Sequence, residues 1–62
     1  MIKLDMDVYM LLSIVNMKLR NNYKTLEALC DDQAIDQTAL ESKLATINYY
    51  YELDKNQFKS HE

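Results

Sequence analysis

The sequence predicts a mainly α domain in which three helices are followed by a C-terminal β-hairpin. Apolar side chains recur at helical spacing in three successive segments. Asn and Asp residues separate these segments, and they must make the turns because the chain has no Gly and no Pro. After Asn48 the pattern changes to three consecutive tyrosines, which favour a strand. With 62 residues, positions 1–62 form a single domain.

The first helix is predicted from about residue 7 to 20. Asp7 is a favourable N-cap, and Lys18 and Arg20 suit the negative end of the helix dipole in the last turn. One stripe of apolar residues at i, i+3, i+4 and i+7 spacing should face the core: Val8, Leu11, Leu12, Val15 and Leu19.

The second and third helices are predicted at about residues 25–33 and 36–47, with Thr25 and Asp36 as their N-caps. Ile35 should pack on Leu40, as in a hydrophobic staple. The inner positions of both helices are Leu26, Leu29, Cys30, Leu40, Leu44 and Ile47. Asn48 then follows as a residue that tolerates the left-handed conformation and ends the third helix.

The hairpin is predicted at about residues 49–59, with residues 53–56 as its turn. In a strand, Tyr49 and Tyr51 share one face and Tyr50 takes the other, so one face can close over the core with Phe58. A helical tail is the alternative.

Charge and cysteine content restrict the function classes. The net charge is −3 and the sequence pI is about 4.9, which disfavours nucleic acid as a partner without excluding it. Cys30 is the only cysteine, so no disulfide forms within the monomer, and a cytoplasmic location is expected. No membrane association is expected, because residues 1–7 lack a cationic signal region and the longest apolar stretch, residues 8–15, is too short.

An enzyme is not expected. His61, beside the C-terminus, is the only histidine, and the chain has no glycine-rich phosphate loop and little room for a ligand pocket. We therefore predict no catalytic residue, no cofactor, no metal site and no small-molecule substrate. Cys30 is interpreted as a small buried hydrophobe.

A second apolar stripe on the first helix predicts self-association. Met10, Ile14 and Met17 recur at i, i+4 and i+7, away from the inner stripe. The N-terminal segment, with Ile2 and Leu4, or the hairpin could cover this stripe within the monomer. In so short a chain we expect that cover to be incomplete, which predicts a homodimer or a protein partner at this face.

The segment TLEALCDDQAIDQTALESKLATI, residues 25–47, resembles a helix-turn-helix, although Ala34 stands where a glycine is usual. With the hairpin after it, the domain is winged-helix-like. This resemblance implies a DNA-binding transcription regulator as the alternative function, since such a motif reads bases with its second helix. The residues that would contact DNA are Gln37, Thr38, Ser42, Lys55 and Lys59.

Nearly the whole chain resembles a family of small bacterial proteins catalogued as domain of unknown function 4250. The resemblance rests on MLLSIVNMKLR at residues 10–20, LEALCDD at residues 26–32, and the Tyr-rich run that ends in NQF at residues 56–58. The family implies no activity, cofactor or catalytic residue. The leading prediction is therefore a protein-interaction or adaptor domain that self-associates.

Overall fold

The computed structural model describes residues 2–61 and contains three helices followed by an antiparallel hairpin. The elements are α1 (Val8–Asn21), α2 (Leu26–Gln33), α3 (Gln37–Ala45), β1 (Tyr49–Glu52) and β2 (Gln57–Ser60). The predicted fold class is confirmed, and the alternative of a helical tail is wrong. Four of the five elements lie within about one residue of their predicted bounds, and α3 is the exception.

All three predicted N-caps are confirmed by hydrogen bonds. Each cap side chain accepts from the backbone N–H three residues later, which satisfies one of the unpaired donors of the first helical turn. The bonds are Met10 N–H to Asp7 Oδ2 at 3.1 Å, Ala28 N–H to Thr25 Oγ1 at 3.0 Å, and Ala39 N–H to Asp36 Oδ2 at 3.3 Å. The local sequence therefore places the start of every helix.

The end of α3 differs from the prediction. The helix stops at Ala45, so Ile47 lies beyond it instead of on its inner stripe. The N–H groups of residues 46, 47 and 48 donate to carbonyls three residues earlier, which tightens the chain before Asn48. Asn48 then adopts the expected left-handed conformation, with a φ of 63°. This early stop turns the chain directly into β1.

Ala34 ends α2 in the left-handed conformation, with φ 56° and ψ 46°. A residue with a Cβ atom is strained there by roughly 1–2 kcal/mol, which is why glycine is common at this position. The N–H of the next residue, Ile35, donates to the Cys30 carbonyl at 2.9 Å and closes the helix end. The turn between α2 and α3 is therefore built without glycine, at some conformational cost.

The core lies between α1, α2, α3 and the inner face of the hairpin. Its buried side chains are Ile2, Leu11, Val15, Leu19, Leu26, Leu29, Cys30, Leu40, Leu44 and Phe58. Val8 and Leu12, the other two members of the predicted α1 stripe, are partly buried and pack against this cluster. Ile2 and Leu4 of the N-terminal segment also reach the core.

The hairpin pairs Tyr51 with Phe58 and Tyr50 with Lys59. Phe58 is buried, and its ring lies 5.6 Å from that of Tyr51 between centroids. Tyr49 is also partly buried, whereas Tyr50 is 41% exposed on the opposite face. The predicted alternation of the tyrosines is confirmed, because successive side chains of a strand point to opposite faces.

Candidate functional site

The largest concentration of exposed apolar side chains lies on α1. Five large hydrophobic residues are exposed among residues 2–61, and three of them are on this helix: Tyr9 at 63%, Met10 at 56% and Met17 at 45%. Met10 and Met17 are two helical turns apart, which is about 10 Å along the axis. We call Tyr9, Met10 and Met17 the outer face of α1.

Ile14, the central residue of the predicted self-association stripe, is only partly exposed. Its side chain packs against the core cluster, so the monomer already covers part of it. Two of the three residues predicted for self-association, Met10 and Met17, are therefore exposed, whereas Ile14 lies beside them and is partly covered. Tyr9 is also exposed, next to Met10 in the chain, but the sequence did not predict it as part of the self-association stripe.

Asn16 occupies the side of α1 next to the hairpin. Its Nδ2 donates to the Phe58 carbonyl at 3.1 Å, and its Oδ1 accepts from the Phe58 N–H at 2.8 Å. The carbonyl of Asn16 also accepts from Gln57 Nε2 at 2.9 Å. One asparagine therefore gives β2 the pair of hydrogen bonds that a neighbouring strand would supply. Sequence reasoning missed this role, because nothing local marks a partner 42 residues away.

Asn56 is a second polar link, between the hairpin turn and the end of α1. It has a φ of 53°, and its Nδ2 donates to the carbonyls of Leu19 at 3.0 Å and Tyr23 at 2.9 Å. Its Oδ1 accepts from the Tyr51 hydroxyl at 2.6 Å, and that hydroxyl accepts from the Leu26 N–H at 3.3 Å. These bonds hold the hairpin against the α1–α2 junction.

The residues predicted to contact DNA are all exposed. Gln37, Thr38 and Ser42 lie on α3, Lys55 lies in the hairpin turn and Lys59 lies on β2. The Gln37 Nε2 donates to Glu41 Oε2 at 2.9 Å, which occupies the amide that would read a base. Residues 25–46 carry five carboxylates and one cation, Lys43, so the surface around α3 is acidic. That charge opposes a phosphate backbone.

Two ionisable groups near α2 have shifted pKa values. Burial raises the pKa of the Cys30 thiol, and the nearby carboxylates of Glu41 and Asp36 raise it further. A thiol that stays protonated is a poor nucleophile and a poor metal ligand. The hydrogen bond to Asp32 raises the pKa of the exposed Tyr23 hydroxyl, while the Gln33 amide that donates to it acts the other way.

Neither a metal-binding cluster nor a pocket is present within residues 2–61. No group of three or more His, Cys, Asp or Glu side chains converges there. No surface depression of ligand size is found in the same part of the chain. None of the helices described has the length and apolar character needed to cross a bilayer. The absence of catalysis, cofactors and small-molecule substrates stays a prediction.

Comparison with known proteins identifies the family and nothing more specific. No curated protein and no solved structure matches the chain. The family model described as Domain of unknown function (DUF4250) matches residues 5–58, which include all three helices and the tyrosine strand. The sequence strings at residues 10–20, 26–32 and 56–58 fall inside that match. The chain belongs to the DUF4250 family.

Proposed function

We propose that the protein is an interaction domain that self-associates through the outer face of α1. The observation that carries the proposal is the exposure of Tyr9, Met10 and Met17 on one helix. Aromatic and methionine side chains are enriched at protein interfaces and depleted from surfaces that stay in water. A small domain also gains support from association, because its own core is limited.

A two-fold axis near the middle of α1 would suit this surface. It would place Met10 of one protomer close to Met17 of its partner, so that the same patch serves both sides. Ile14, at the flank, would lose its remaining exposure in such a dimer. No acidic or basic side chain lies between residues 8 and 17, so the contact would oppose no like charges.

Sedimentation of paired variants tests this proposal. Full burial of a methionine contributes about 1.5–3 kcal/mol, so Met10→Glu with Met17→Glu should raise the dimer dissociation constant by at least about 100-fold. The matched control is Leu53→Glu, which adds a carboxylate at a residue that is 74% exposed in the hairpin turn. A wild-type mass near 7.4 kDa at millimolar concentration would overturn the proposal.

Ile14→Asp is a less selective variant. We expect it to unfold the chain as well as prevent association, because the Ile14 side chain packs against the core. Circular dichroism at the concentration used for sedimentation separates the two effects. A folded Ile14→Asp variant with the mass of the wild type would argue that α1 is not the interface.

DNA binding is the second candidate, supported by the exposure of all five predicted contacts and by the hairpin that follows α3. It ranks lower because the α2–α3 surface is acidic. An amide NMR titration with mixed-sequence duplex DNA at low salt tests it, since low salt strengthens phosphate contacts. Amide shifts at Thr38, Ser42 and Lys55 that disappear in the double variant Lys55→Glu, Lys59→Glu would support DNA binding. The absence of any shift would exclude DNA binding.

A further inference from the structure

The sulfur-containing side chains of the protein differ in their access to water. Those within residues 2–61 are Met6, Met10, Met17 and Cys30. Met10 and Met17 are exposed on the outer face of α1. Met6 is partly buried and packs against the core, in which Cys30 is buried. An oxidant dissolved in water therefore reaches the thioethers of Met10 and Met17 first, because the oxidation of sulfur follows its exposure.

Cys30 does not compete for such an oxidant. Its side chain is only 5% exposed. Burial raises the pKa of the Cys30 thiol, and the carboxylates of Glu41 and Asp36 raise it further. The thiolate is the form that peroxides oxidise, and a buried thiol that keeps its proton reacts slowly. The two exposed methionines are therefore the accessible targets.

We propose that Met10 and Met17 are modification sites, at which a peroxide forms methionine sulfoxide and thereby keeps the protein monomeric. The inference rests on the proposed function and adds the regulation of the same surface. Both sulfur atoms belong to one face of one helix, so a single oxidant changes the whole contact.

The reaction needs only the thioether and hydrogen peroxide. A lone pair of the methionine sulfur attacks one peroxide oxygen, so that an S–O bond forms and the O–O bond breaks. The sulfur loses two electrons, and the second oxygen leaves with both hydrogen atoms as water. A methionine sulfoxide reductase, with a dithiol as the reductant, converts the sulfoxide back to the thioether. The modification is therefore reversible, as regulation requires.

The proposed contact also determines when the sulfur atoms react. In the dimer, Met10 of one protomer would lie close to Met17 of its partner, and both would be shielded from water. Oxidation therefore acts on dissociated protomers and prevents their return to the dimer, which draws the equilibrium towards the monomer.

A sulfoxide is incompatible with this contact because its oxygen is a strong hydrogen-bond acceptor. Burial of such a group without a donor is unfavourable. Between residues 8 and 17 the exposed side-chain donors are two hydroxyl groups, those of Tyr9 and Ser13, which cannot replace the water around both sulfoxides. We expect oxidation of both methionines to raise the dimer dissociation constant at least about 100-fold.

Peptide mass spectrometry after brief exposure to hydrogen peroxide tests the assignment of the sites. At a protein concentration where the chain is monomeric, Met10 and Met17 should each gain one oxygen, about 16 Da, before Met6 or Cys30 does. Their oxidation should slow at concentrations where the chain is dimeric.

Sedimentation before and after oxidation tests the regulation. The oxidised wild type should be monomeric where the untreated protein is dimeric, and reduction by methionine sulfoxide reductases with dithiothreitol should restore the dimer. The matched control, Met10→Leu with Met17→Leu, keeps an apolar face and should stay dimeric in peroxide. Met10→Gln with Met17→Gln places a neutral polar group at each position and should be monomeric without peroxide.

Several results would overturn the proposal. They are earlier oxidation of Met6 or Cys30, dissociation of the leucine variant in peroxide, and loss of the helical circular dichroism signal on oxidation. A dimer that persists with both sulfoxides in place would overturn the regulation alone. An untreated wild type that is monomeric at millimolar concentration would overturn the proposed self-association as well, so the two failures are distinguishable.

Discussion

The two strands of the hairpin are joined to the rest of the molecule in different ways. β2 is held by its backbone, because the Asn16 amide pairs with both the N–H and the C=O of Phe58. β1 is held by side chains, chiefly Tyr51, whose ring packs on Phe58 and whose hydroxyl bonds to Asn56 and the α2 N-terminus. A single asparagine thus closes one edge of the sheet, whereas no side chain within residues 2–61 forms a hydrogen bond with the backbone of β1.

This difference shows how a two-stranded sheet can be stable in so small a domain. An isolated hairpin is marginal in water and needs a third strand or a packed face. Here the packed face is supplied by Phe58 and Tyr51, and the third strand is replaced by one side chain of α1.

Phe58→Ala should cause the greatest loss, because Phe58 is fully buried and joins β2 to the core. Replacement of a buried phenylalanine by alanine costs about 3–5 kcal/mol, which is comparable to the whole stability of a domain of this size. Urea unfolding followed by circular dichroism measures it. Tyr50→Ala, on the exposed face of the same hairpin, is the control and should cost about 1 kcal/mol or less. Similar losses for both variants would mean that the hairpin does not depend on its inner face.

Asn16→Ala tests the closed edge directly. It leaves the N–H and C=O of Phe58 without their partner and should cost about 1–3 kcal/mol in unfolding free energy. Hydrogen exchange gives a local readout: the Phe58 amide should exchange slowly in the wild type and as fast as the Tyr51 amide in the variant.

Two further variants of α1 refine that result. Asn16→Asp keeps an acceptor for the Phe58 N–H but loses the donor to its carbonyl, so its stability should lie between those of the wild type and Asn16→Ala. Ser13→Ala changes an exposed residue of the same helix and should stay within about 0.5 kcal/mol of the wild type. If the Phe58 and Tyr51 amides exchanged at equal rates in the wild type, the two edges of the hairpin would not differ in hydrogen bonding.

Tyr51→Phe tests the side-chain attachment of β1. The variant keeps the ring on Phe58 but removes the hydroxyl that donates to Asn56 and accepts from the Leu26 N–H. We expect a loss of about 1 kcal/mol, because the two bonds are partly buried and water can replace them only in part. Tyr49→Phe is the matched control, since the Tyr49 hydroxyl makes no hydrogen bond within residues 2–61. Equal stability of the two variants would show that the hydroxyl network does not anchor β1.

The smallest expected effect concerns Cys30, which lies in the core on α2 and takes no part in the hydrogen bonds of either hairpin edge. Because burial raises the pKa of this thiol, the unfolded chain releases the proton first as the pH rises. The stability that the protonated thiol contributes is complete below the ordinary thiol pKa of about 8.5 and declines above it. Urea unfolding between pH 7 and 10 should show the wild type losing stability relative to Cys30→Ala. A constant difference would mean that the thiol titrates alike in both states.

Much of the fold was predictable because its signals are local. Asp7, Thr25 and Asp36 cap helices through bonds to residues three positions away, and a pattern over that range is visible in the sequence. The left-handed Asn48 follows from the need for a turn in a chain without glycine. The alternation of the tyrosines follows from the geometry of a strand. Even the early end of α3 is a change of only two residues.

The candidate surfaces were less predictable. The periodicity of α1 identified Met10 and Met17, but it could not show that Ile14 is partly covered or that Tyr9 joins the exposed face. Nor could it distinguish Asn16, which bonds to β2, from Ser13, an exposed polar residue one turn earlier on the same helix. These outcomes depend on which neighbour covers each side of the helix, and periodicity carries no information about neighbours.

The amino-acid sequence by itself determined where the helices begin, most of the side chains that enter the core and which face of the hairpin closes over it. Those features depend on capping, periodicity and strand geometry, all of which act within a few residues. Only the tertiary structure decided that Asn16 closes the β2 edge and that the backbone of Tyr49 and Tyr51 points away from β2. Asn16 and Phe58 are 42 residues apart in the chain, and they meet only because packing of the core brings α1 and β2 together.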